Sequence, residues 1–492
     1  MLWMYDIAKK IINNHPEKEE YICQCGISTT GIAHFGNYRE PVITYAVAKA
    51  IEACGKRARC KLSFDDFDRY KRVASGTPDD YEKYIGMPDY CIPSPYDDAM
   101  GYAAYYEKFI IANLERLGID MDYIYQHKCY LSGRYNNYIK KALKHRDKLF
   151  AIENLFKTSP KKNSSSYYPV RVYCEKCSKD LTVIDNYCKN DNTLSYHCDN
   201  CGNTSKGSIE KLKVKCDFKV DWPMRWTVEN VDFEPAGKSH MEPMGAYAVS
   251  SVISRELFGH EPPETYGYAF VSIAGQNGRM SKTSGSILTM ETALKLYGRD
   301  MVIWILGFRR PEVPIRVPVS EDVEVLYKQY EEFLSSDNRD CVDFCNLFNI
   351  KKETGIPSFR KLYNEMLMWG KSDEELAIKM GVSNECTKKK IASVRYFCEV
   401  IRKENCFRFS EPYSEMLSAE EKKLTERFFN LDLEQITVDT VKLYFDPEQY
   451  RILSGALNLL MFGRRKGPSI NRILTAYDLK HIKKKIWISY RI

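Results

Sequence analysis

YICQCGISTTGIAHFGNYRE, residues 21–40, starts as a short apolar run and passes through Gly and Ser into a loop. The apolar part is typical of a buried strand. Residues 37–54 then carry apolar side chains at helical spacing, with Gly55 as a helix stop. A second strand candidate, KRARCKLSFDDFD, follows at residues 56–68. This order predicts a βαβ unit in a parallel sheet, and ligands bind such sheets at the carboxyl ends of the strands.

The chain of 492 residues is too long for one hydrophobic core, and about three domains are expected. A polar stretch that starts at Lys157, KTSPKKNSSSYYP, marks the beginning of an inserted module. Apolar and charged residues alternate over 212–222, which predicts a strand with one buried and one wet face. Beyond about residue 320 the pattern becomes helical.

Neither a membrane span nor a secretory signal is indicated. No stretch approaches the roughly 18 uninterrupted apolar residues of a membrane span, and the N-terminal residues MLWMYDIAKKIINNHPEKEE lack the pattern of a secretory signal. The 17 cysteines are thinly spread, so reduced thiols are the better interpretation. We therefore expect a cytoplasmic protein with no membrane partner.

The formal net charge of +7 is mild, but basic residues concentrate at the C-terminus. Residues 463–492 hold nine Lys or Arg and one acid, Asp478, which makes this stretch a candidate nucleic-acid footprint. Arg464, Arg465 and Lys466 follow an apolar, helix-like run and could contact phosphates. A solvated basic tail, or a basic face on an ordinary helical bundle, is the alternative.

The loop at the first strand-to-helix turn carries residues suited to phosphate binding. Gly31 and Gly36 would let a phosphate approach the backbone, while His34 and Asn37 offer side-chain donors beside the helix start. As a bare pattern H-x-G-N is common, and a histidine or asparagine here is otherwise a cap or turn residue. Its place after the first strand is what favours a phosphate site.

A second segment, GRMSKTSG at residues 278–285, is rich in Gly and Ser and carries basic side chains. Such a loop, with Arg279 and Lys282, could close over a pyrophosphate and neutralise charge on the leaving group. Taken alone, this segment is better interpreted as a plain surface loop. Together the two segments favour a nucleotide-binding site.

Four cysteines form two CxxC pairs with 20 residues between them. Two such pairs can place four thiolates tetrahedrally around Zn²⁺, each pair in its own tight turn. Four thiolates leave no open coordination position, so the zinc would be structural. Unligated thiols are the alternative, and Cys188 and His197 lie nearby as substitute ligands. The pairs are Cys174 with Cys177 and Cys198 with Cys201.

The two loop segments, H-x-G-N after the first strand and R-M-S-K-T late in the fold, resemble the two signature motifs of class I aminoacyl-tRNA synthetases. Much more of the chain resembles one subgroup, the class I lysyl-tRNA synthetases typical of archaea and some bacteria. The matching stretches run in order through roughly the first 300 residues. They are GISTTGIAHFGNYRE (26–40), FDDFDRYKRV (64–73), IPSPY (92–96), LGIDMDYIYQHKCYLSGRYNNYIKKAL (117–143), VDWPMRW (220–226), VDFEPAGKSH (231–240) and RMSKTSG (279–285).

The resemblance implies an α/β fold with a Rossmann-type parallel-sheet catalytic domain, a zinc-binding insertion and an all-α C-terminal domain. The catalytic domain would take residues 1–160 and 213–320, with the RMSKT loop in its second half. The insertion would take residues 161–212, and the helical anticodon-binding domain residues 321–492. The activity implied is attachment of lysine to tRNA(Lys) through a lysyl-adenylate, by a monomer that uses ATP and Mg²⁺ and holds a structural Zn²⁺.

The resemblance also implies roles for individual residues. His34 and Asn37 would act at the α-phosphate of ATP, and Lys282 at the leaving phosphates. The tRNA would be bound at its acceptor end and at its anticodon. The remaining ATP-binding residues would be Gly31, Gly36, Arg279, Met280 and Ser281. The lysine pocket would be lined by Gly26, Ser28, Trp222, His240 and Tyr268.

Two positions depart from the family's pattern, because Ser239 and Ala248 stand where the family usually has acids. A related enzyme that adenylates another amino acid or serves another acceptor is therefore one alternative. A synthetase-like protein that holds tRNA without catalysis is a second. The intact His34, Asn37 and Lys282 argue against the second alternative.

Overall fold

The computed structural model describes residues 1–159, 163–276, 280, 287–352, 355–367, 373–381, 384–401, 416–431 and 438–476. Arg279, Ser281 and Lys282 lie outside these ranges, as do residues 477–492.

The elements follow an α/β order that gives way to helices. The strands are β1 (Glu20–Ile27), β2 (Arg57–Phe64), β3 (Asp122–Tyr125), β4 (Val170–Tyr173), β5 (Thr182–Cys188), β6 (Thr193–Cys198), β7 (Thr204–Ser208), β8 (Lys213–Cys216), β9 (Ala236–Gly237), β10 (Gly267–Tyr268), β11 (Val271–Ile273) and β12 (Ile315–Val317). The helices are α1 (Trp3–Asn14), α2 (Arg39–Ala53), α3 (Tyr102–Leu117), α4 (Gln126–Leu131), α5 (Asn136–Lys144), α6 (Arg146–Leu155), α7 (Phe218–Glu229), α8 (Ala246–Ile253), α9 (Met290–Gly307), α10 (Val323–Ser335), α11 (Arg339–Leu347), α12 (Phe359–Leu367), α13 (Asp373–Lys379), α14 (Glu385–Tyr396), α15 (Ala419–Phe429), α16 (Val438–Tyr444), α17 (Pro447–Phe462) and α18 (Ile470–Ala476).

β1, β2 and β3 form a parallel sheet in that order. Helix α2 connects β1 to β2, so the predicted βαβ unit is confirmed. On the other side of β1, the Gln24 N–H donates to the Phe233 carbonyl at 2.8 Å, and Phe233 pairs in turn with Glu264. Parallel strands joined through helices place their carboxyl ends on one edge of the sheet, and the functional residues collect at that edge.

Helix α2 is buried because it presents apolar side chains to the sheet and to its neighbours. Val42, Ile43, Val47 and Ile51 are fully excluded from solvent. Gly55 follows the helix with a φ of 85°, a left-handed backbone conformation that favours glycine. The predicted helix stop is confirmed.

The strand predicted over 212–222 is wrong beyond Cys216. Helix α7 replaces it, and the Asp217 carbonyl starts this helix by accepting two N–H groups of the first turn, both at 2.8 Å. The prediction assumed that the alternating charged residues face solvent, but two of them are buried. Lys215 is 8% exposed and Asp221 is 1% exposed.

Ion pairs compensate the charges buried around α7. Arg225 pairs with Asp221 on its own helix and with Asp65 beyond the end of β2, the latter at 2.6 Å. Lys215 lies 3.1 Å from Asp221 and 2.9 Å from Asp68. Burial alone would raise the pKa of Asp221, but Arg225 and Lys215 outweigh burial and lower that pKa. The network therefore ties β8 to the loop that follows β2.

The described residues divide into two compact units, and all of the strands fall in the first. The second is helical, and α15 and α17 bury Phe428, Leu457 and Leu460 in a common core. The predicted helical C-terminal region is confirmed. No helix in the described ranges combines the length and apolar character needed to cross a lipid bilayer. The first unit comprises residues 1–294, 299–318 and 333–352, and the second comprises residues 295–298, 319–332 and the described part of 353–492.

Replacing Asp221 by alanine should destabilise the protein by about 3–5 kcal/mol, because Arg225 and Lys215 stay buried without their shared counter-charge. The half-exposed pair of Arg59 and Asp122 offers a matched control, and Asp122→Ala should destabilise the protein much less, because solvent screens this pair. Urea unfolding followed by tryptophan fluorescence measures the destabilisation in both variants. Equal destabilisation of the two variants would contradict the stabilising role of the buried network.

Candidate active site

A pocket of about 770 Å³ opens at the carboxyl ends of β1 and β2. It is lined from the loop after β1, from the segment after β2 and from β10 with the residues that follow it. Gly31, Trp222 and His240 are not part of its lining. The predicted site residues that it brings together are Gly26, Ser28, His34, Gly36, Asn37, Tyr268 and Met280.

The turn that carries His34 is closed by Asn37. The Asn37 side-chain oxygen accepts the His34 N–H at 3.0 Å, and the Asn37 N–H donates to the His34 carbonyl at 2.9 Å. Asn37 is therefore a capping residue, and it lines the pocket as well. The two roles are compatible because the cap holds both residues at the pocket wall.

Leu288 and Thr289, which follow the second segment in the sequence, contact the first loop in space. The Phe35 N–H donates to the Leu288 carbonyl at 2.7 Å, and His34 forms a bridge with Thr289. Met280 lines the pocket and is 6% exposed. Residues on both sides of the S-K-T stretch therefore lie at the pocket or against the first loop.

Gly36 has little room for a side chain. A β-carbon at this position would lie 3.2 Å from the His34 ring and 3.2 Å from the β-carbon of Val271. Glycine therefore lets the His34 ring lie against the backbone of the turn. Gly31 is buried and has a φ of 147°, a conformation that other residues rarely adopt.

Glu40, in the first turn of α2, is a pocket residue that the sequence patterns do not single out. One carboxylate oxygen accepts the Gly26 N–H at 3.1 Å, and the other accepts the Tyr268 hydroxyl. Burial raises the pKa of Glu40 to about 8; the two hydrogen bonds oppose this shift and the nearby Glu234 carboxylate adds to it. The only signal in the sequence is an acid in a first helical turn, which the helix dipole alone would explain.

A second buried acid, Glu234, lies near enough to Glu40 to influence its pKa. The Glu234 carboxylate accepts the Trp226 indole N–H at 2.7 Å and the Gln24 amide at 3.4 Å. Burial raises the pKa of Glu234 to about 7. Two neighbouring acids with raised pKa values form a region that a cation would stabilise.

Trp222 and His240 form an aromatic group beside the pocket. Their ring centroids are 5.9 Å apart, and Trp222 also packs on Trp226. Gly237 joins this group to the pocket, because a β-carbon there would lie 3.8 Å from both the His240 ring and the Tyr268 hydroxyl. Burial lowers the pKa of His240. The residues predicted for the amino-acid site therefore form two adjacent sets. One set lines the pocket (Gly26, Ser28 and Tyr268), and the other is the aromatic group of Trp222 and His240.

The acids that follow β2 are engaged with basic partners. Asp65 pairs with Arg225, and Asp66 accepts the backbone N–H of His127 at 2.7 Å and also contacts its ring. Ser239, which stands where the resembled family has an acid, is exposed. Glu40 is thus the pocket acid whose hydrogen bonds come from uncharged donors.

The two CxxC pairs lie in two matching turns. The Cys174 carbonyl accepts the Ser178 N–H at 2.8 Å, and the Cys198 carbonyl accepts the Gly202 N–H at 2.9 Å. Each turn uses a left-handed residue, Ser178 with a φ of 59° and Gly202 with a φ of 69°. The repeated backbone geometry directs both pairs of thiols to one point.

The four sulfur atoms lie within 4.8 Å of one another, and the Cys174–Cys201 and Cys177–Cys198 distances are both 3.6 Å. Zinc with bonds of about 2.3 Å would hold its sulfur ligands about 3.8 Å apart, so the cluster fits Zn²⁺. Burial would raise the pKa of Cys174, but N–H groups of Cys177 and Lys176 outweigh burial and lower that pKa to about 7. This shift favours the thiolate that a metal needs.

His197 and Cys188 do not join this cluster. His197 contacts Asp185 through Nδ1 at 2.6 Å and Asp199 through Nε2 at 3.6 Å. Across the ranges that the structure describes, the four cysteines are the only group of three or more Cys, His, Asp or Glu side chains placed to hold a metal ion.

A phosphate-suited turn, Met280 of the second signature motif in the same pocket, and the position of that pocket at the carboxyl edge of a parallel sheet are the arrangement expected of a class I tRNA synthetase. Residues 1–342 match the family described as tRNA synthetases class I (K), where K denotes lysine, and the chain belongs to this family.

Individual relatives agree with this assignment. The chain is 33% identical over 337 residues to a lysine–tRNA ligase of Treponema pallidum, a match that covers 67% of this chain and 63% of the relative. It is 32% identical over 334 residues to a lysine–tRNA ligase of Pyrococcus horikoshii, with the same shares covered. A lysine–tRNA ligase of Borreliella burgdorferi is also 32% identical over 334 residues, again with the same shares. The chain spans 63% of the length of the relatives it matches.

Metal analysis of the purified protein should find about one zinc per chain. The double substitution C177S/C198S should abolish zinc binding and leave the cysteine-rich insertion open to limited proteolysis, because the metal supplies much of its folding energy. The exposed Cys54 lies outside the cluster, so Cys54→Ser should keep the metal. Full zinc content in the double variant would show that these thiols are not the ligands.

Proposed function

We propose that this chain activates lysine with ATP and attaches it to tRNA(Lys) through a lysyl-adenylate. The observation that carries the proposal is the Glu40 carboxylate in the same pocket as His34 and Asn37. A carboxylate and a phosphate-suited turn within one pocket match a cationic amino acid and a nucleotide bound side by side.

In this proposal the side-chain ammonium of lysine binds Glu40. Burying a cation without a counter-charge is costly, and ionisation of Glu40 on binding, with Glu234 nearby, offsets that cost. Gly26, Ser28 and Tyr268 surround the amino acid, and all three line the pocket. The group of Trp222 and His240 forms the adjoining wall, a role supported by its approach to Tyr268 across Gly237.

The α-carboxylate of lysine attacks the α-phosphorus of ATP in line. A carboxylate–phosphorus bond forms as the bond to the pyrophosphate oxygen breaks. His34 and Asn37 stabilise the α-phosphate, and Gly31 and Gly36 shape the turn that presents them. Mg²⁺ accompanies the nucleotide and offsets the charge of its phosphates.

The leaving pyrophosphate is held by the R-M-S-K-T segment, with Lys282 as its main cation and Arg279 beside it. Met280 and Ser281 shape this segment, and the buried position of Met280 at the pocket supports the assignment. In the second step the terminal ribose of tRNA attacks the lysyl carbonyl carbon through its 2′-hydroxyl, and AMP leaves.

The tRNA is bound at its acceptor end and at its anticodon. The zinc-binding insertion, residues 161–212, lies near the acceptor end, and the helical region 321–492 takes the anticodon. Lys466 is exposed after α17 and available to a phosphate, whereas Arg465 pairs with Glu421 and is less available. The protein works as a monomer in the cytoplasm.

Pyrophosphate exchange with each of the twenty amino acids, with and without total tRNA, tests this function. We expect lysine-dependent exchange when tRNA is present. Exchange that depends on a different amino acid would replace lysine in the proposal. No exchange with any amino acid, in a protein that still binds tRNA, would contradict the enzymatic function.

In the same assay Glu40→Gln should lower kcat/KM for lysine by about a hundredfold, because it removes the charge that pairs with the ammonium and keeps an acceptor for the Gly26 N–H. Glu242 is an exposed acid, so Glu242→Gln is a matched control that should stay within about twofold of the unmodified protein. Similar decreases in both variants, or an effect confined to the KM for ATP, would argue against lysine recognition by Glu40.

A further inference from the structure

A basic segment after β2 runs along one side of the pocket. Asp68, Arg69, Lys71 and Arg72 all line it. Tyr70, in the middle of the segment, is fully buried and packs edge-on against another tyrosine ring at 5.2 Å. Burial of Tyr70 therefore anchors the segment while its neighbours remain at the pocket.

The backbone of this segment is also fixed. The Tyr70 N–H donates to the Met87 carbonyl at 2.7 Å, and the Tyr70 carbonyl accepts the Gly86 N–H at 2.9 Å. The Asp68 carbonyl accepts the Asp89 N–H at 2.9 Å. These strand-like hydrogen bonds hold the backbone from which the next two side chains extend.

The cysteine-rich insertion supports the segment from outside. The Asp180 N–H donates to the Gly86 carbonyl at 2.8 Å, and the Asp180 carboxylate lies 3.4 Å from the Arg69 guanidinium. On the same segment, Asp68 is paired with Lys215. Two of the four charged residues that line the pocket here, Asp68 and Arg69, therefore already form ion pairs within the protein.

Lys71 and Arg72 differ from their neighbours. Both are exposed at the pocket rim, and neither forms an ion pair with any residue in the described part of the chain. Two adjacent cations without counter-charges, on a fixed backbone and in the same pocket as the His34 turn, create a positive potential that favours an anion. Arginine and lysine side by side suit phosphate oxygens, because arginine offers a fork of donors and lysine a point charge.

We propose that Lys71 and Arg72 bind phosphate oxygens of a substrate at the rim of this pocket. The inference rests on the proposed function and deepens it, because it adds two phosphate-binding residues outside both signature segments. The phosphates belong to ATP or to the 3′ end of tRNA, since the same oxygens are presented by either molecule.

Two binding measurements on the full chain distinguish the sources, and each compares the K71A/R72A variant with the unmodified protein. In the first, ATP with Mg²⁺ is titrated by calorimetry without tRNA. A rise in the Kd for ATP of about tenfold or more assigns the residues to ATP phosphates.

In the second measurement, total tRNA is bound over a range of salt concentrations. A fall of about 1 to 2 in the slope of log K against log salt, roughly one for each phosphate that is no longer neutralised, assigns the residues to tRNA phosphates. Unchanged ATP affinity together with an unchanged salt slope would overturn the proposal.

Two control variants make these results specific. The K71R/R72K exchange keeps both charges and should hold either affinity within about threefold, which also shows that the segment tolerates substitution. The K9A/R57A variant removes two exposed cations that do not line the pocket, and it should change neither quantity. An equal effect in K9A/R57A would show a general charge effect and would also overturn the proposal.

The proposed function and this inference are tested by different experiments, so either one can be refuted without the other. A protein without amino-acid-dependent pyrophosphate exchange would refute the enzymatic function, whereas the two binding measurements would still show whether Lys71 and Arg72 hold phosphates.

Discussion

The carboxylate of Glu40 joins three pieces of chain that build the pocket. From the first turn of α2 it accepts the Gly26 N–H at the end of β1 and the Tyr268 hydroxyl on β10. Burial and the nearby Glu234 oppose its ionisation and raise its pKa to about 8, from 4.5 for an ordinary glutamate. Between these pH values the folded protein binds the proton more tightly than the unfolded chain, so Glu40 lowers stability as the pH rises through this window. A cation beside Glu40 would favour the ionised form and reverse this effect.

The second constraint is the set of ion pairs around the segment that follows β2. Three ion pairs form there: Arg225 with Asp65, Lys215 with Asp68, and Arg69 with Asp180. Asp180 belongs to the insertion, and Lys215 belongs to β8, which pairs with β4 of the insertion, so both link the insertion to the pocket segment through side chains. Folding of the insertion around its four cysteines therefore bears on the position of the pocket wall.

Sequence patterns predict the parts of the structure that depend on residues close together in the chain. The βαβ unit follows from short-range periodicity, and the four-cysteine cluster follows from two tight turns of the same form. The strand prediction over 212–222 was wrong because the charged side chains there are neutralised by Arg225 and Asp68. Sequence periodicity does not reveal these partners. The role of Glu40 could not be predicted for a similar reason, because its hydroxyl partner, Tyr268, lies 228 residues away in the sequence.

Calorimetry of lysine binding at pH 7, in buffers that differ in ionisation enthalpy, counts the protons exchanged on binding and tests most directly whether Glu40 receives the lysine ammonium. With a pKa of about 8, Glu40 is mostly protonated at this pH, and pairing with an ammonium would ionise it. The account predicts that lysine binding releases protons, and that the Glu40→Gln variant releases clearly fewer, with the remainder coming from Glu234. Lysine binding without proton release, or with a release that Glu40→Gln leaves unchanged, would contradict it.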